Sequence, residues 1–243
     1  MKNKTVNILG FNFLNSTFND FLTNIKKRIN NRENTFVVTA NPEIVVHALN
    51  DSSYKKKIQQ SDYLVADGIG IIMGGNILGY DMSERITGYD VLVDLLDWGN
   101  KNNKSAYFLG AKPEVIADLK KVIAQKYPHL EAVGFHDGYF TDEQAIADDI
   151  NEKKPDMVFV ALGFPKQENF IINHRNTSDG LWIGLGGSFD VLSGHVVRAP
   201  QFWINHHIEW LYRLIKEPTR FKRMLALPKF IHLVKKQKRN NSK

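Results

Sequence analysis

The sequence predicts an α/β fold, in which a Rossmann-like parallel sheet carries helices on both faces. Strand-like runs alternate with helix-like segments, which is the pattern of a parallel sheet. Each run is almost wholly apolar, as expected for strands covered on both faces. The 243 residues, 43% of them hydrophobic, suffice for one such sheet. Beyond Pro200 the alternation stops, so we divide the chain into a core, residues 1–200, and an appendage, residues 201–243.

Five apolar runs predict strands in this order: TFVVTA (35–40), YLVA (63–66), SAYFLGA (105–111), DMVFVALG (156–163) and LWIGLGG (181–187). The segments between them predict helices because their apolar residues recur at helical spacing. Asn41-Pro42 starts the first of these helices, since proline suits the first helical turn. The later helices cover residues 71–77, 87–103, 112–128, 142–154 and 166–176.

The appendage has a different composition from the core. It reads as two or three amphipathic helices interrupted by Pro218 and Pro228. From Ile204 onward, eleven Lys and Arg face two Glu, a local charge of +9 that leaves −3 for the first 203 residues. Such a basic tail indicates an anionic partner, either nucleic acid, anionic lipid or a phosphorylated substrate, unless it is simply a solvated face.

Several classes of protein are excluded or disfavoured. The chain has no cysteine, which excludes disulfides, thiolate zinc sites and a cysteine nucleophile. It has no clean dinucleotide-binding or P-loop motif and none of the common metal motifs, including Asp-x-Asp, so we expect no metal and no cofactor. The first residues lack a signal-peptide core, and no apolar run reaches the ~20 residues that span a bilayer. We therefore expect a protein that stays in the cytoplasm.

Polar residues and glycines follow the predicted strands where each strand ends. Because the carboxyl ends of parallel strands share one edge, these residues would converge on a ligand crevice. Asp67 ends its strand before Gly68, and an ordinary Asp-Gly turn is the alternative. Lys166 and Gln167 begin a helix, a position that suits a phosphate or a sugar hydroxyl. The alternative is an ordinary strand–helix turn in which both side chains face solvent. The predicted substrate-binding residues are Thr39, Asn41, Arg85, Gly110, Gly163, Lys166, Gln167, Gly187 and Asp190.

Four arginines are candidates for contact with a diphosphate. Arg85 precedes a helix, where it would pair with a diphosphate or a carboxylate, or lie on the surface. In the appendage, Arg213, Arg220 and Arg223 share a narrow arc if helical register persists past Pro218.

Taken together, the motifs TANPEIV, VADGIGI, ERITGYD, FLGA, GYF, GFPKQE, GLGGSFDVLSG, RAP and EWLYRLIKEPTRFKRM resemble the WecG/TagA/CpsF glycosyltransferase family. The resemblance covers residues 6 to 235 in the family's order and is greatest to its teichoic-acid branch. It implies an inverting, metal-independent transferase that moves N-acetylmannosamine from UDP-ManNAc to undecaprenyl-diphosphate-linked GlcNAc. It further implies a β-1,4 product made at the cytoplasmic face of the membrane. Asp67 matches the proposed general base, and the three appendage arginines match positions that serve membrane targeting.

Other functions remain open at this point. A related transferase would use another donor, such as a ManNAcA or glucose nucleotide, for a different surface polysaccharide. A nucleic-acid-binding protein would use the basic tail, but the bulky aromatic residues there suit lipid better, so no nucleic acid is expected. A non-catalytic sensor would bind UDP-sugar without turnover. A homo-oligomer is also possible, because the sequence does not reveal the oligomeric state.

Overall fold

A computed structural model describes residues 4–206, 209–216 and 221–241. Its main sheet has six parallel strands: β3 (Thr35–Ala40), β4 (Tyr63–Ala66), β5 (Ser105–Gly110), β6 (Glu131–His136), β7 (Met157–Ala161) and β8 (Leu181–Gly184). Their spatial order is β4-β3-β8-β7-β5-β6. The predicted parallel sheet is confirmed.

Helices cover both faces of this sheet, as predicted. The helices are α1 (Phe18–Asn30), α2 (Pro42–Asn50), α3 (Ser52–Ile58), α4 (Ile69–Ile77), α5 (Gly88–Lys101), α6 (Pro113–Lys126), α7 (Glu143–Lys153), α8 (Lys166–His174), α9 (Ser188–Leu192), α10 (Gln201–Asn205), α11 (Glu209–Lys216), α12 (Phe221–Met224) and α13 (Ala226–Asn241). Two hydrophobic clusters lie on opposite faces of the sheet. Helices α1, α5, α6 and α9 pack in one cluster, and α2, α3, α7, α8 and α13 pack in the other.

The strands are apolar without interruption because helices cover both faces of the sheet. Along a strand, successive side chains point to opposite faces, so both sets must be apolar when both faces are buried. Phe36 and Val38 of β3 join one cluster, whereas Val37 between them joins the other. The edge strand β6 is the exception, with only Gly134 fully buried, and its mixed composition gave no clear strand signal.

A small antiparallel hairpin precedes the main sheet and was not predicted. It pairs β1 (Thr5–Ile8) with β2 (Phe11–Leu14). Its connection, Leu9 and Gly10, has positive φ at both residues, which suits a tight hairpin turn. Val6 and Ile8 are buried while Asn7 between them is exposed. The asparagines that interrupt this apolar segment are therefore the outward positions of an alternating strand.

The glycines of the segment GIGIIMGG have a packing role in α4. A Cβ on Gly70 would lie 2.5 Å from Pro42 Cγ of α2 and 2.6 Å from Leu227 Cδ1 of α13. A Cβ on Gly74 would lie 2.8 Å from the Phe230 ring. These distances are shorter than van der Waals contact, so α2 and α13 approach α4 this closely only because side chains are missing there.

The last helix of the predicted appendage shares the core of the body. Helix α13 packs against α2 and α4, and its Phe230 and Val234 are fully buried among residues of the sheet. The predicted boundary at residue 200 itself stays a prediction. Of the helices that the structure describes, none has the length and apolar character needed to cross a bilayer.

We expect Phe230→Ala to lower the free energy of unfolding by about 3–5 kcal/mol, because it removes a fully buried ring and leaves a cavity. Phe221→Ala is the matched control: that ring is 58% exposed, and its loss should change stability by less than about 0.5 kcal/mol. Urea unfolding followed by circular dichroism measures both. Equal effects would contradict the docking of α13 on the body.

Candidate active site

The carboxyl ends of four adjacent strands bring most of the predicted site residues to one edge of the sheet. Asp67 follows β4, and Thr39 and Asn41 lie at the end of β3 beside it. Gly187 follows β8, and Gln167 lies beyond β7. Gly110 ends β5, four strand spacings or about 19 Å across the sheet from β4. The structure therefore separates Gly110 from Asp67 and brings the other four together.

Asp67 is held between two backbone segments. Its N–H donates to Ala40 O of β3 at 2.9 Å, which extends the β3–β4 pairing by one residue beyond the strand. The preceding residue, Ala66, accepts from Ile86 N at 2.9 Å, so the loop before α5 also lies against this strand end. The Asp67 side chain is partly exposed. A partly exposed carboxylate on a fixed backbone is a suitable arrangement for a general base.

Thr39 and Asn41 have structural roles at this edge. The Thr39 hydroxyl is 7% exposed and donates to Gly184 O at 2.9 Å, which ties β3 to the end of β8. Asn41 caps α2, because its Oδ1 accepts from Ile44 N at 3.0 Å. The cap leaves the Asn41 amide N–H groups for other partners. Whether either residue touches substrate stays a prediction.

Gln167 lies inside the protein rather than at its surface. It is 3% exposed, its Oε1 accepts from Gly186 N at 3.0 Å, and its Nε2 donates to Glu168 Oε1 at 2.8 Å. Gln167 thus joins α8 to the turn that follows β8. Its Oε1 and one of its two Nε2 hydrogens are already bonded within the protein, so a substrate would have to contact the second Nε2 hydrogen or the second lone pair of Oε1.

Glu168 is a buried acid that the sequence did not single out as functional. It is 1% exposed, and burial raises the pKa of its carboxyl above the ordinary value. Tyr54 of α3 lies close by, and burial, reinforced by Glu168, raises the pKa of the Tyr54 hydroxyl as well. The available sequence signal was a Glu at the third position of a helix with an apolar face, which is more often a solvated residue.

The remaining predicted substrate residues differ in accessibility. Gly163 has φ +71°, and no atom of the described residues lies within 4 Å of where its Cβ would stand. Lys166 is exposed at the start of α8, and Asp190 is partly exposed in α9. Gly110 is buried with φ +121°, and a Cβ there would lie 2.5 Å from the Ala161 backbone. Gly110 is therefore required for strand packing, whatever else it does.

Arg85 forms an ion pair with the appendage. Its guanidinium Nη1 lies 3.1 Å from Glu209 Oε2 of α11, and the two side chains are only 17% and 11% exposed. A second pair joins Arg223 Nε to Glu43 Oε1 of α2 at 3.1 Å. These pairs hold α11 and α12 near the carboxyl edge of the sheet. Arg213 belongs to α11, and Arg220 lies outside the described residues.

Arg198 is a further basic residue near this edge, within the RAP motif, and was not singled out from sequence. Its Nη2 lies 2.5 Å from Asp90 Oδ1, and its guanidinium stacks 4.5 Å from the centre of the Tyr89 ring. Asp90 in turn accepts from the Thr87 hydroxyl, the cap of α5. Arg198 thus fixes the chain after α9 onto the start of α5.

Comparison with known proteins identifies the family. The model of the glycosyl transferase WecG/TagA/CpsF family matches residues 6–243. The chain belongs to this family. The resemblance seen in the sequence motifs is thereby confirmed, and the WecG/TagA/CpsF family is a family of glycosyltransferases.

Curated relatives within the WecG/TagA/CpsF family share one name. A protein of Bacillus spizizenii is 40% identical, with 100% of this chain and 95% of the relative covered. One of Bacillus subtilis is 40% identical, covering 98% and 93%, and one of Staphylococcus aureus is 35% identical, covering 98% and 95%. Each is an N-acetylglucosaminyldiphosphoundecaprenol N-acetyl-beta-D-mannosaminyltransferase.

We expect Glu209→Gln to destabilise the docking of α11, because it leaves the largely buried Arg85 guanidinium without its charged partner. The unfolding midpoint in urea should fall, and limited proteolysis should cut near α11 sooner. Lys121→Gln, which breaks an exposed ion pair with Asp118, is the matched control and should leave both measurements unchanged. Identical behaviour of the two variants would mean that the Arg85–Glu209 pair contributes nothing to docking.

Proposed function

We propose that this protein transfers N-acetylmannosamine from UDP-ManNAc to undecaprenyl-diphosphate-linked GlcNAc, with inversion, in the synthesis of the wall teichoic acid linkage unit. The observation that carries the proposal is the shared name of relatives that are 35–40% identical over nearly the whole chain. The polar residues gathered at the carboxyl edge of the sheet support this proposal.

Asp67 is the proposed general base. In an inverting transfer, the acceptor hydroxyl attacks the anomeric carbon from the face opposite the leaving UDP, and a base takes the hydroxyl proton. The new glycosidic bond forms as the bond between the anomeric carbon and the UDP oxygen breaks. Asp67 has the required features, because its carboxylate is partly exposed on a backbone fixed by β3. The 4-hydroxyl of GlcNAc would approach this carboxylate to give the β-1,4 linkage.

Cationic groups are proposed to stabilise the leaving diphosphate. Charge develops on UDP as its bond to the sugar breaks, and preorganised cations lower the free energy of that state. Lys166 and the amino end of α8 lie at the same edge as Asp67. Arg85 lies in the loop beside β4, and it would reach the diphosphate by exchanging its partner Glu209. The sequence has no Asp-x-Asp motif to hold a metal ion. We therefore propose that the transfer needs no metal and no cofactor.

The protein is further proposed to act at the cytoplasmic face of the membrane, where its lipid-linked acceptor would lie. An apolar groove of about 610 Å³ opens between α4, α11, α12 and α13. Exposed Met73, Trp210, Phe221 and Leu225 line it, with Lys235 also in its lining. Apolar side chains beside a lysine suit reversible attachment to anionic lipid, where each Lys or Arg adds about 1 kcal/mol. In this proposal Arg213, Arg220 and Arg223 serve the membrane or the acceptor diphosphate.

We expect Asp67→Asn to fold normally and to bind UDP while its turnover falls by about 10²–10⁴-fold, the usual contribution of a general base. The assay supplies UDP-ManNAc and other UDP-sugars with a lipid-diphosphate-GlcNAc analogue, in excess EDTA, and identifies products by mass spectrometry. Asp179→Asn, an exposed aspartate before β8, is the control. Near-normal turnover by Asp67→Asn would end its role as base. A requirement for added Mg²⁺ or Mn²⁺ would contradict the metal-free mechanism, and transfer from another UDP-sugar alone would identify a different donor.

We expect the double variant Phe221→Ser, Leu225→Ser to lose flotation with vesicles that contain anionic lipid, because both side chains are more than half exposed in the apolar groove. Wild-type flotation should weaken with salt and with zwitterionic vesicles. Val197→Ser, which removes a 74% exposed apolar side chain outside the groove, is the control and should float normally. Unchanged flotation of the double variant would rule out the groove as the membrane-binding surface.

A further inference from the structure

A chain of buried polar groups lies behind the turn that follows β8. It begins at Tyr54 of α3, continues through Glu168 and Gln167 of α8, and ends at Gly186 N. Tyr54, Glu168 and Gln167 are 2%, 1% and 3% exposed. Burying three polar side chains this fully lowers the stability of the fold unless they are hydrogen-bonded. Gln167 connects this chain to the candidate active site through its hydrogen bond with Gly186 N.

The turn is tied down from two sides. Gln167 Oε1 accepts from Gly186 N, and the Thr39 hydroxyl donates to Gly184 O, so one strand neighbour and one helix hold the same three residues. Space for the amide exists only because residue 184 is a glycine. A Cβ there would lie 2.6 Å from Gln167 Nε2. The Gln167 amide is therefore fitted closely between α8 and β8.

Glu168 determines how this amide is oriented. Its Oε1 accepts from Gln167 Nε2 at 2.8 Å, which leaves Gln167 Oε1 facing Gly186 N. The other carboxyl oxygen, Oε2, and the Tyr54 hydroxyl both lack a hydrogen bond of good geometry among the described residues, although the two groups interact. Burial raises the pKa of Glu168, and a neutral carboxylic acid supplies both the carbonyl oxygen for Gln167 and an O–H for Tyr54.

The charged and titratable groups around Glu168 are few. Strands β7 and β8 contribute none, since their sequences are MVFVA and LWIG. On α3, Lys57 donates to Asn169 at 2.8 Å, and beyond α8 Arg175 pairs with Asp62. His47 of α2 packs against the Tyr54 ring. Among the described residues, Tyr54 therefore interacts with Glu168 directly, and His47 lies on the far side of that interaction, against the Tyr54 ring. Lys57 and Arg175 are engaged with Asn169 and Asp62 instead.

We propose that Glu168 is a positioning residue: by accepting from Gln167 Nε2 it orients the Gln167 amide, and through that amide it fixes the Gly184–Gly187 turn beside the sugar-nucleotide site. The inference rests on the proposed function only for the ligand that the turn faces. The hydrogen-bond chain itself does not depend on the reaction. Loss of Glu168 frees the amide to rotate, and a misplacement of about 1 Å in a transferase site costs roughly 10²-fold in rate.

Two substitutions separate positioning from mere burial. Glu168→Gln keeps a carbonyl oxygen for Gln167 and an N–H for Tyr54, whereas Glu168→Leu keeps the volume and removes both. We expect Glu168→Leu to speed hydrogen exchange at Gly186 N by at least about tenfold and to lower kcat by roughly 10²-fold. Glu168→Gln should match the wild type in exchange and remain within about threefold in kcat. The Asp67 amide, bonded to Ala40 O at the same edge, is the internal control and should not change.

A pH series tests the protonation state by comparing wild type with Glu168→Gln. Above about pH 4.3 the unfolded chain releases the Glu proton while the folded chain keeps it. The wild-type free energy of unfolding should therefore fall relative to Glu168→Gln as pH rises from 4 towards neutrality. A difference that rises with pH would show a stabilised carboxylate and overturn the neutral acid, as would a difference independent of pH.

Failure of this inference and failure of the proposed function give different results. Hydrogen exchange and the pH series use the full-length protein without substrate, so they test the Glu168 network even if the wild type does not turn over UDP-ManNAc. Unchanged Gly186 exchange in Glu168→Leu would overturn the positioning role. So would equal losses of kcat in Glu168→Gln and Glu168→Leu. If exchange in Glu168→Leu also rises at the Asp67 amide, that variant is destabilised in general. Glu168→Gln then decides: wild-type exchange and kcat support the positioning role, and a loss of kcat in Glu168→Gln overturns it.

Discussion

The candidate site depends on the parallel pairing of β3 with both of its neighbours. Val37–Ala40 pair with Tyr63–Ala66 of β4, and Thr35–Val38 pair with Leu181–Gly184 of β8. Because the three strands run the same way, the residues that follow them emerge at one edge. They come from positions almost 150 residues apart in the sequence, as Thr39 and Gly184 show. The register also brings Asp67 next to Asn41, so a one-residue slip of β4 would turn the carboxylate to the other face.

Close helix packing is the second requirement for this edge. Gly70 and Gly74 let α4 contact α2 and α13 without intervening side chains. Asn41 caps α2 on one side of the site, and α4 begins directly after Asp67 and Gly68. The segment GIGIIMGG, residues 68–75, resembles a glycine-rich nucleotide-binding loop in sequence, but its glycines are used for helix packing. It sets how closely α2 and α13 lie against α4.

Much of the fold was predictable because buried parallel strands leave a strong signal. The runs around Val37, Val65 and Phe159 are apolar on both faces, and the ends of these strands located Asp67 and Thr39 correctly at one edge. Less was predictable where alternation is short or an edge is exposed, as in β1, β2 and β6. Contacts between distant elements had no local signal. The Arg85–Glu209 pair joins residues 124 positions apart, and the burial of Glu168 depends on Tyr54 of another helix.

The burial of Phe230 changes how the C-terminal region should be regarded in comparisons and in engineering. Helices α10 to α12 connect α9 to α13, and both α9 and α13 pack in the hydrophobic clusters of the body, so this stretch is anchored at both ends. A chimera that exchanged everything after residue 200 with a relative would also replace part of the core. An exchange confined to the stretch between Pro200 and Ala226 would keep the contacts of α13 with α2 and α4. The sequence of this stretch can therefore change without repacking of α13 on α2 and α4.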